Sequence, residues 1–242
     1  MKKFINRPRY IFTALLIIGA GVFVAMQSHY QHKVSALEAE VTELEEKNIT
    51  YRDAMKYTQN NEEEKIGKVS FSNYKQWQKA QKLANQFVEQ SDGKFKKEWG
   101  LFLISKAKQY EIDPYIVYEL IRVETGDTFD PKLKGPKTQY GHAYGLSQFM
   151  KNTAPWIADM AGIEYKDDLL YNPYYSIQLS VVYLDFLHER YEGDWDQALT
   201  AYHRGIYGLE NYVKENGHAK SWYAKRIQNK AKKQEQLVAY NQ

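Results

Sequence analysis

The chain has 242 residues, contains no cysteine and carries 33 Lys and Arg against 30 Asp and Glu, a formal net charge of +3. The absence of cysteine excludes a disulfide framework, a cysteine nucleophile and a thiolate zinc site. So small a positive surplus does not indicate nucleic-acid binding, and none is expected. The 21 tyrosines and five tryptophans are flat amphipathic side chains that can contact sugars but more often pack in cores.

The N-terminal part of the chain combines a basic segment, residues 1–9, with an uncharged apolar run within residues 10–27. As a helix, the run from Tyr10 to Met26 is about 26 Å long, close to the thickness of a hydrocarbon core. Because Lys and Arg cluster before this run, the sequence predicts a single transmembrane anchor with a cytoplasmic N-terminus and the rest of the chain outside. A cleaved signal peptide is the alternative, but no good pair of small residues follows the run.

Residues 28–66 are predicted to form a coiled-coil stalk and a linker. Apolar residues follow a heptad spacing from Val34 to Leu44 and again at Tyr51 and Met55, which would let two chains pair as a homodimer. The repeat is short, and a single solvated helix that holds the next domain away from the membrane is the alternative. A polar run at 60–65 ends the pattern and indicates a hinge.

Residues 70–242 are predicted to form one mainly helical domain. Apolar residues recur at helical spacing, and no segment shows the alternation of a strand. Three positions combine a capping side chain with a following apolar run, and two of them also have proline in the first turn: Asp113, Asn172 and Asp194. The fold class expected from these signals is mainly α.

Glu124 is the first candidate for chemistry. It ends an apolar helical run over 115–124, just before Thr125-Gly126-Asp127 breaks the pattern. Desolvation at the edge of a core disfavours an ionised carboxylate and raises its pKa, which suits an acid that delivers a proton near neutral pH. Taken alone, a glutamate at a helix end is more often solvated or salt-bridged.

Two further segments hold candidate ligand-binding side chains. The first is Tyr144-Gly145-Leu146-Ser147-Gln148, where glycine permits close backbone approach and the amide can hydrogen-bond hydroxyl or acetamido groups. Its alternative interpretation is an ordinary turn that leads into a helix near Phe149. The second segment, Ala201-Tyr202-His203-Arg204-Gly205, ends a helical run with a phenol, an imidazole and a guanidinium.

In their order and spacing, these three segments resemble the motifs of the Slt-type lytic transglycosylases, a family with a goose-type-lysozyme-like helical fold. The family's catalytic glutamate and following serine correspond to Glu124-Thr125, its Gly-Leu-Met-Gln to Gly145-Leu146-Ser147-Gln148, and its Ala-Tyr-Asn to Ala201-Tyr202-His203. Threonine keeps the hydroxyl, whereas Ser147 replaces an apolar sugar contact and His203 replaces an asparagine. The resemblance covers a family core at 97–215.

The resemblance implies a lysozyme-like helical domain at 70–242, behind the anchor and stalk, that cleaves the β-1,4 bond between N-acetylmuramic acid (MurNAc) and N-acetylglucosamine (GlcNAc) in peptidoglycan strands. It implies 1,6-anhydroMurNAc ends as products and Glu124 as the catalytic residue. The substrate-binding residues that it implies are Thr125, Tyr144, Gly145, Leu146, Ser147, Gln148, Tyr202 and His203.

No second carboxylate stands out, since Asp127 and Asp130 are interpreted as solvated loop acids, so Glu124 is expected to act as both acid and base. Two alternatives stay open: a hydrolytic muramidase with the same site, and a non-catalytic membrane-tethered scaffold that binds glycan. The six histidines form no HExxH pattern, so neither a metal site nor a cofactor is expected.

Overall fold

The computed structural model describes residues 20–41, 69, 71, 74–138 and 140–240, with the backbone alone for 74 and 235–240. The chain divides into two compact units, Met1–Asp53 and Ala54–Gln242. Within the described ranges, no helix is both long and apolar enough to cross a membrane. The predicted anchor up to residue 19 and the predicted stalk from residue 42 to 66 lie outside the described residues.

In the first unit, helix α1 is described over 20–41, and all of these residues are exposed. The heptad residues of this stretch, Val34, Leu37 and Val41, are 46%, 59% and 52% exposed. Pairing of two chains through them stays a prediction.

The second unit is built mainly of helices. In chain order its described elements are α2 (Tyr74–Gln90), α3 (Lys97–Gln109), α4 (Pro114–Glu124), β1 (Ala143–Tyr144), β2 (Phe149–Met150), α5 (Ala154–Met160), a 3-10 helix (Asp167–Tyr171), α6 (Pro173–Arg190), α7 (Trp195–Arg204), α8 (Ile206–Asn216) and α9 (Trp222–Tyr240). This composition confirms the prediction of a mainly helical domain.

Two details differ from the sequence-based expectation. A small antiparallel hairpin pairs Ala143 with Met150 and Tyr144 with Phe149. Two-residue strands are too short to show an alternating pattern, so the sequence did not reveal them. The helix expected near Phe149 begins instead at Ala154, after the hairpin.

The three predicted helix starts are confirmed by their capping bonds. The carboxylate of Asp113 accepts a hydrogen bond from the Tyr115 amide at 2.9 Å. Asn172 and Asp194 each accept bonds from two backbone amides of the first turn. Each such cap stabilises a helix by about 1 kcal/mol, so the starts of α4, α6 and α7 are fixed locally by sequence.

Helix α4 lies in the core of the second unit, with a continuous run of buried residues from Tyr115 to Ile121. It packs against α3, α6 and α9, while α9 also contacts α7. The end of α4, the end of α7 and the start of α9 can therefore contribute to one site. Aromatic rings pack against α4, including Phe87 and Phe129, which stack on Tyr118 with centroid distances of 4.2 and 5.5 Å.

Candidate active site

Glu124 is the last residue of α4 and is only partly buried, although most of the helix before it is enclosed. One carboxylate oxygen, Oε1, accepts a hydrogen bond of 2.5 Å from the phenol of Tyr223. Burial raises the pKa of Glu124 to about 7, against the opposing effect of the Tyr223 hydrogen bond, which lowers it. The raised pKa agrees with the expectation from the sequence and gives a carboxyl group that can be protonated or ionised near neutral pH.

Tyr223 was not identified from the sequence. It lies in the first turn of α9, is 1% exposed, and is 99 positions from Glu124 along the chain. Burial and the nearby Glu124 carboxylate raise its pKa well above the usual value, so the phenol stays neutral and acts as a hydrogen-bond donor. No local pattern distinguishes this tyrosine from the others, because its role arises from the packing of α9 on α4.

Tyr202, on α7, connects the acid to the loop that follows β1. Its hydroxyl donates a hydrogen bond of 3.2 Å to the backbone oxygen of Ser147. Burial and the Glu124 carboxylate raise its pKa well above the usual value. Its ring packs against Tyr183 and Phe149, with centroid distances of 5.3 and 5.5 Å.

His203 lies near the end of α7 and is more exposed than Tyr202, and its described contacts do not include Glu124. Its imidazole stacks on the ring of Tyr223 with a centroid distance of 4.6 Å and an interplanar angle of 12°. Trp222, 55% exposed, meets the same imidazole edge-on at 5.6 Å. Partial burial and the charge of Arg204 lower the pKa of His203.

The segment from Gly145 to Ser147 has a mainly structural environment. Gly145 has φ of +73°, and a Cβ at this position would lie 1.9 Å from the backbone oxygen of Leu170. Leu146 and Ser147 are completely buried, and the Ser147 hydroxyl donates to the backbone oxygen of Ser176 at 2.8 Å. Glycine is therefore required here by contact with protein, and both following side chains are enclosed, while their assignment to substrate binding stays a prediction.

Gln148 and Tyr144 lie at the two ends of this loop. Gln148 has φ of +50°, and its side-chain amide donates to the backbone oxygen of Gly145 at 2.8 Å. The partly exposed Tyr144 ring meets Tyr171 edge-on at 5.8 Å and has the ammonium of Lys151 at 5.1 Å from its centroid. Within the described contacts, both residues interact with the loop and its neighbours rather than with Glu124.

Thr125 ends α4 and is 3% exposed. Its hydroxyl donates to the backbone oxygen of Ile121 at 2.8 Å and accepts from the amide of Phe129 at 3.2 Å. The hydroxyl therefore fixes the turn after the acid. The assignment of Thr125 to substrate binding stays a prediction.

The carboxylates that are nearest to Glu124 in sequence form ion pairs with arginine. Asp127 pairs with Arg122 at 3.2 Å and with Arg226 at 3.5 Å, and the buried Glu119 pairs with Arg122 at 3.0 Å. Asp127 is exposed, as expected, but it is ion-paired rather than merely solvated. Among the described residues, no group of three His, Cys, Asp or Glu could hold a metal ion.

The mainly helical domain, with a short hairpin and a helix that ends in a partly buried acid, agrees with the lysozyme-like fold that the three motifs imply. Residues 102–225, just over half of the chain, match the family described as Transglycosylase SLT domain. The chain belongs to this family, which confirms the resemblance drawn from its three motifs.

Among solved structures, the chain is similar to the X-ray structure of an inactive mutant of the lytic transglycosylase Slt from Pseudomonas aeruginosa. The identity is 18% and the TM-score 0.46, over 62% of this chain and 28% of that chain. The match thus spans less than a third of the length of that protein. No curated protein matches this chain.

Proposed function

We propose that this protein is a peptidoglycan lytic transglycosylase that cleaves the β-1,4 bond between MurNAc and GlcNAc and leaves 1,6-anhydroMurNAc ends. The observation that carries the proposal is the environment of Glu124. In a domain of the SLT family, this carboxyl group combines a pKa of about 7 with partial exposure and a tyrosine donor.

The reaction uses Glu124 twice. Near neutral pH, a protonated Glu124 donates its proton to the glycosidic oxygen while the bond from that oxygen to C1 of MurNAc breaks. The resulting carboxylate then accepts the proton of the C6 hydroxyl of the same sugar, whose oxygen forms the new bond to C1. Glu124 is protonated again at the end, and no water is consumed.

The surroundings of Glu124 support a mechanism with one carboxylate. A second carboxylate that acted as nucleophile or base would have to lie free on the other side of the sugar ring. Asp127 and Glu119 are instead held by Arg122. Tyr223 stabilises the ionised form of Glu124 by its hydrogen bond, which assists the stage at which the acid has become the base.

The experiment that tests this function is digestion of purified peptidoglycan by the full-length protein and by Glu124→Gln, with products identified by mass spectrometry. We expect anhydromuramyl fragments from the wild-type protein and none from the variant. Reducing muramic ends would instead identify a muramidase, in which water attacks C1. Glycan binding without fragments from either protein would identify a non-catalytic scaffold.

The proposed location is the cell membrane, with a single pass at residues 10–27, residues 1–9 in the cytoplasm and residues 70–242 outside. Its support is the apolar run with a basic N-terminal flank.

Membrane fractionation and protease treatment of intact spheroplasts test this location. We expect the protein to stay with membranes after a carbonate wash and residues 70–242 to be digested from outside. Recovery in the soluble fraction would contradict the anchor. Chemical cross-linking of the membrane-bound protein tests the homodimer that the stalk, residues 28–66, would form.

A further inference from the structure

His203 belongs to the site, but the proposed proton transfer gives it no role. Its motif resembles Ala-Tyr-Asn, but an imidazole stands in place of the amide. The described contacts of this ring are with two aromatic residues of α9, and the closer one is with Tyr223. Tyr223 in turn donates the hydrogen bond to Glu124, so His203 is one residue removed from the acid.

The geometry of the His203 contact is that of a stacked pair. The two rings are 4.6 Å apart and nearly parallel, at 12°, whereas the neighbouring Trp222 meets the Tyr223 ring edge-on at 5.8 Å. Because a flat ring lies along one face of Tyr223, rotation of the phenol about its side-chain torsions is restricted. A stacked partner therefore limits the directions in which the Tyr223 hydroxyl can point.

The charges around the stack favour a neutral imidazole. Partial burial and Arg204, its neighbour on α7, lower the pKa of His203, so the ring is mostly uncharged near pH 7. Glu124, at the end of α4, and Tyr202, on α7 itself, are the described titratable groups that act on Tyr223. The stack is therefore an aromatic contact, separate from the proton chemistry of the acid.

We propose that His203 is a positioning residue, which holds the Tyr223 ring in the orientation that lets its hydroxyl donate to Glu124. The inference rests on the proposed function, because orientation of this donor matters to an enzyme that alternates Glu124 between acid and base. It assigns His203 a role that does not require contact with the sugar.

A loss of the stack has a defined consequence for Glu124. If the flat ring at position 203 is removed, Tyr223 samples orientations in which its hydroxyl does not reach the carboxylate. The hydrogen bond favours the ionised form, so its weakening raises the pKa of Glu124 above the present value of about 7. A residue that merely covers the site would have the opposite effect when it is removed, because burial is what raises this pKa.

The test is NMR titration of the full-length protein labelled with carbon-13 at the glutamate carboxyl groups, with Glu124 assigned by comparison with Glu124→Gln. We expect His203→Ala and His203→Leu to raise the pKa of Glu124 by about 0.5 or more, and Tyr223→Phe to raise it at least as far. His203→Phe keeps a flat ring and should retain the wild-type value. Tyr207→Ala is the matched control, because it removes an aromatic side chain, 75% exposed, from the adjacent helix α8.

The pKa of Glu124 in a double variant provides the second criterion, because the effects of the two substitutions should not add. His203→Ala combined with Tyr223→Phe should titrate as Tyr223→Phe alone, since the stack acts only through the phenol. An unchanged pKa in both His203→Ala and His203→Leu, or an equal rise in His203→Phe, would overturn the proposal. Digestion of peptidoglycan by the same samples is scored separately, so an inactive wild-type protein would refute the proposed function while the titration still decides the positioning role.

Discussion

The loop Gly145–Gln148 and the start of α9 both belong to the surroundings of the acid, but they contribute in opposite ways. The loop carries a recognisable motif, yet Leu146 and Ser147 are completely buried and Gly145 is packed against backbone. The start of α9 carries no recognisable motif, yet its Tyr223 donates the hydrogen bond to Glu124. A motif can therefore mark the scaffold of a site, while the contact with the reactive group is made by a residue outside it.

The two regions meet at Tyr202. Its hydroxyl binds the backbone of Ser147 in the loop, and its ring lies close enough to Glu124 for the carboxylate to raise its pKa. The loop thus supports the acid indirectly, through α7. The α9 side acts on the acid directly, and substitutions on the two sides should therefore separate effects on activity from effects on stability.

The largest expected effect is that of Glu124→Gln on activity. The amide has nearly the same shape and can still accept the hydrogen bond from Tyr223, but it cannot donate a proton to the glycosidic oxygen. We expect glycan cleavage to fall by about 10²–10⁴-fold, the usual contribution of general acid catalysis. The rate of fragment release measures it, with an unchanged circular dichroism spectrum as the control. Activity close to wild type would remove Glu124 from the mechanism.

The same substitution should reveal how the free energy of unfolding depends on pH through Glu124, the residue that the start of α9 contacts. The folded-state pKa of Glu124, about 7, is above the ordinary value of 4.5, so its contribution to stability is complete below about pH 4.5 and is lost as the pH rises through 7. The unfolding free energy of Glu124→Gln minus that of the wild-type protein should therefore increase by up to about 3 kcal/mol from pH 4 to pH 8. Urea unfolding at both pH values measures this gain, and a constant difference would contradict the raised pKa.

On the loop side, Gly145→Ala should damage the fold rather than the chemistry. The new Cβ would meet the backbone oxygen of Leu170 at 1.9 Å, and φ of +73° is strained for alanine. We expect a loss of about 2 kcal/mol or more in unfolding free energy. Gly126→Ala is the matched control, because its φ is +58° but nothing lies within 4 Å of the added Cβ, so its loss should be about 1 kcal/mol. If urea unfolding gave the same loss of unfolding free energy for both variants, the close approach to Leu170 would not contribute to stability.

The smallest expected effect is that of Tyr202→Phe, which tests the link between the two regions. The variant keeps the ring packed on Tyr183 and Phe149 and removes one hydrogen bond, to the backbone of Ser147. We expect a loss of about 1 kcal/mol in stability and a less than tenfold loss of activity. Thermal unfolding and fragment release measure both. A loss of activity as large as that of Glu124→Gln would show that the phenol takes part in the reaction.

The features that the sequence predicts well are those with local causes. The caps at Asp113, Asn172 and Asp194 bind amides two or three residues away, so type and spacing alone identify them. The apolar run of α4 likewise predicts both its burial and the position of Glu124 at its end.

The features that the sequence does not predict depend on contacts between distant segments. The hydroxyls of Thr125 and Ser147 both donate to protein backbone, which their motifs did not indicate. A hydroxyl in a motif has the same sequence signature whether it faces sugar or backbone. Tyr223 likewise acquires its role only when α9 packs on α4, and no periodicity or spacing contains that information.

The hydrogen bond between Tyr223 and Glu124 joins residues that are 99 positions apart. A nascent chain that has been synthesised only as far as α8 therefore contains the acid without its donor. Assembly of the site is coupled to docking of α9, which is a late, non-local step in the formation of the domain. The environment of Glu124 is thus complete only when α9 is packed on α4.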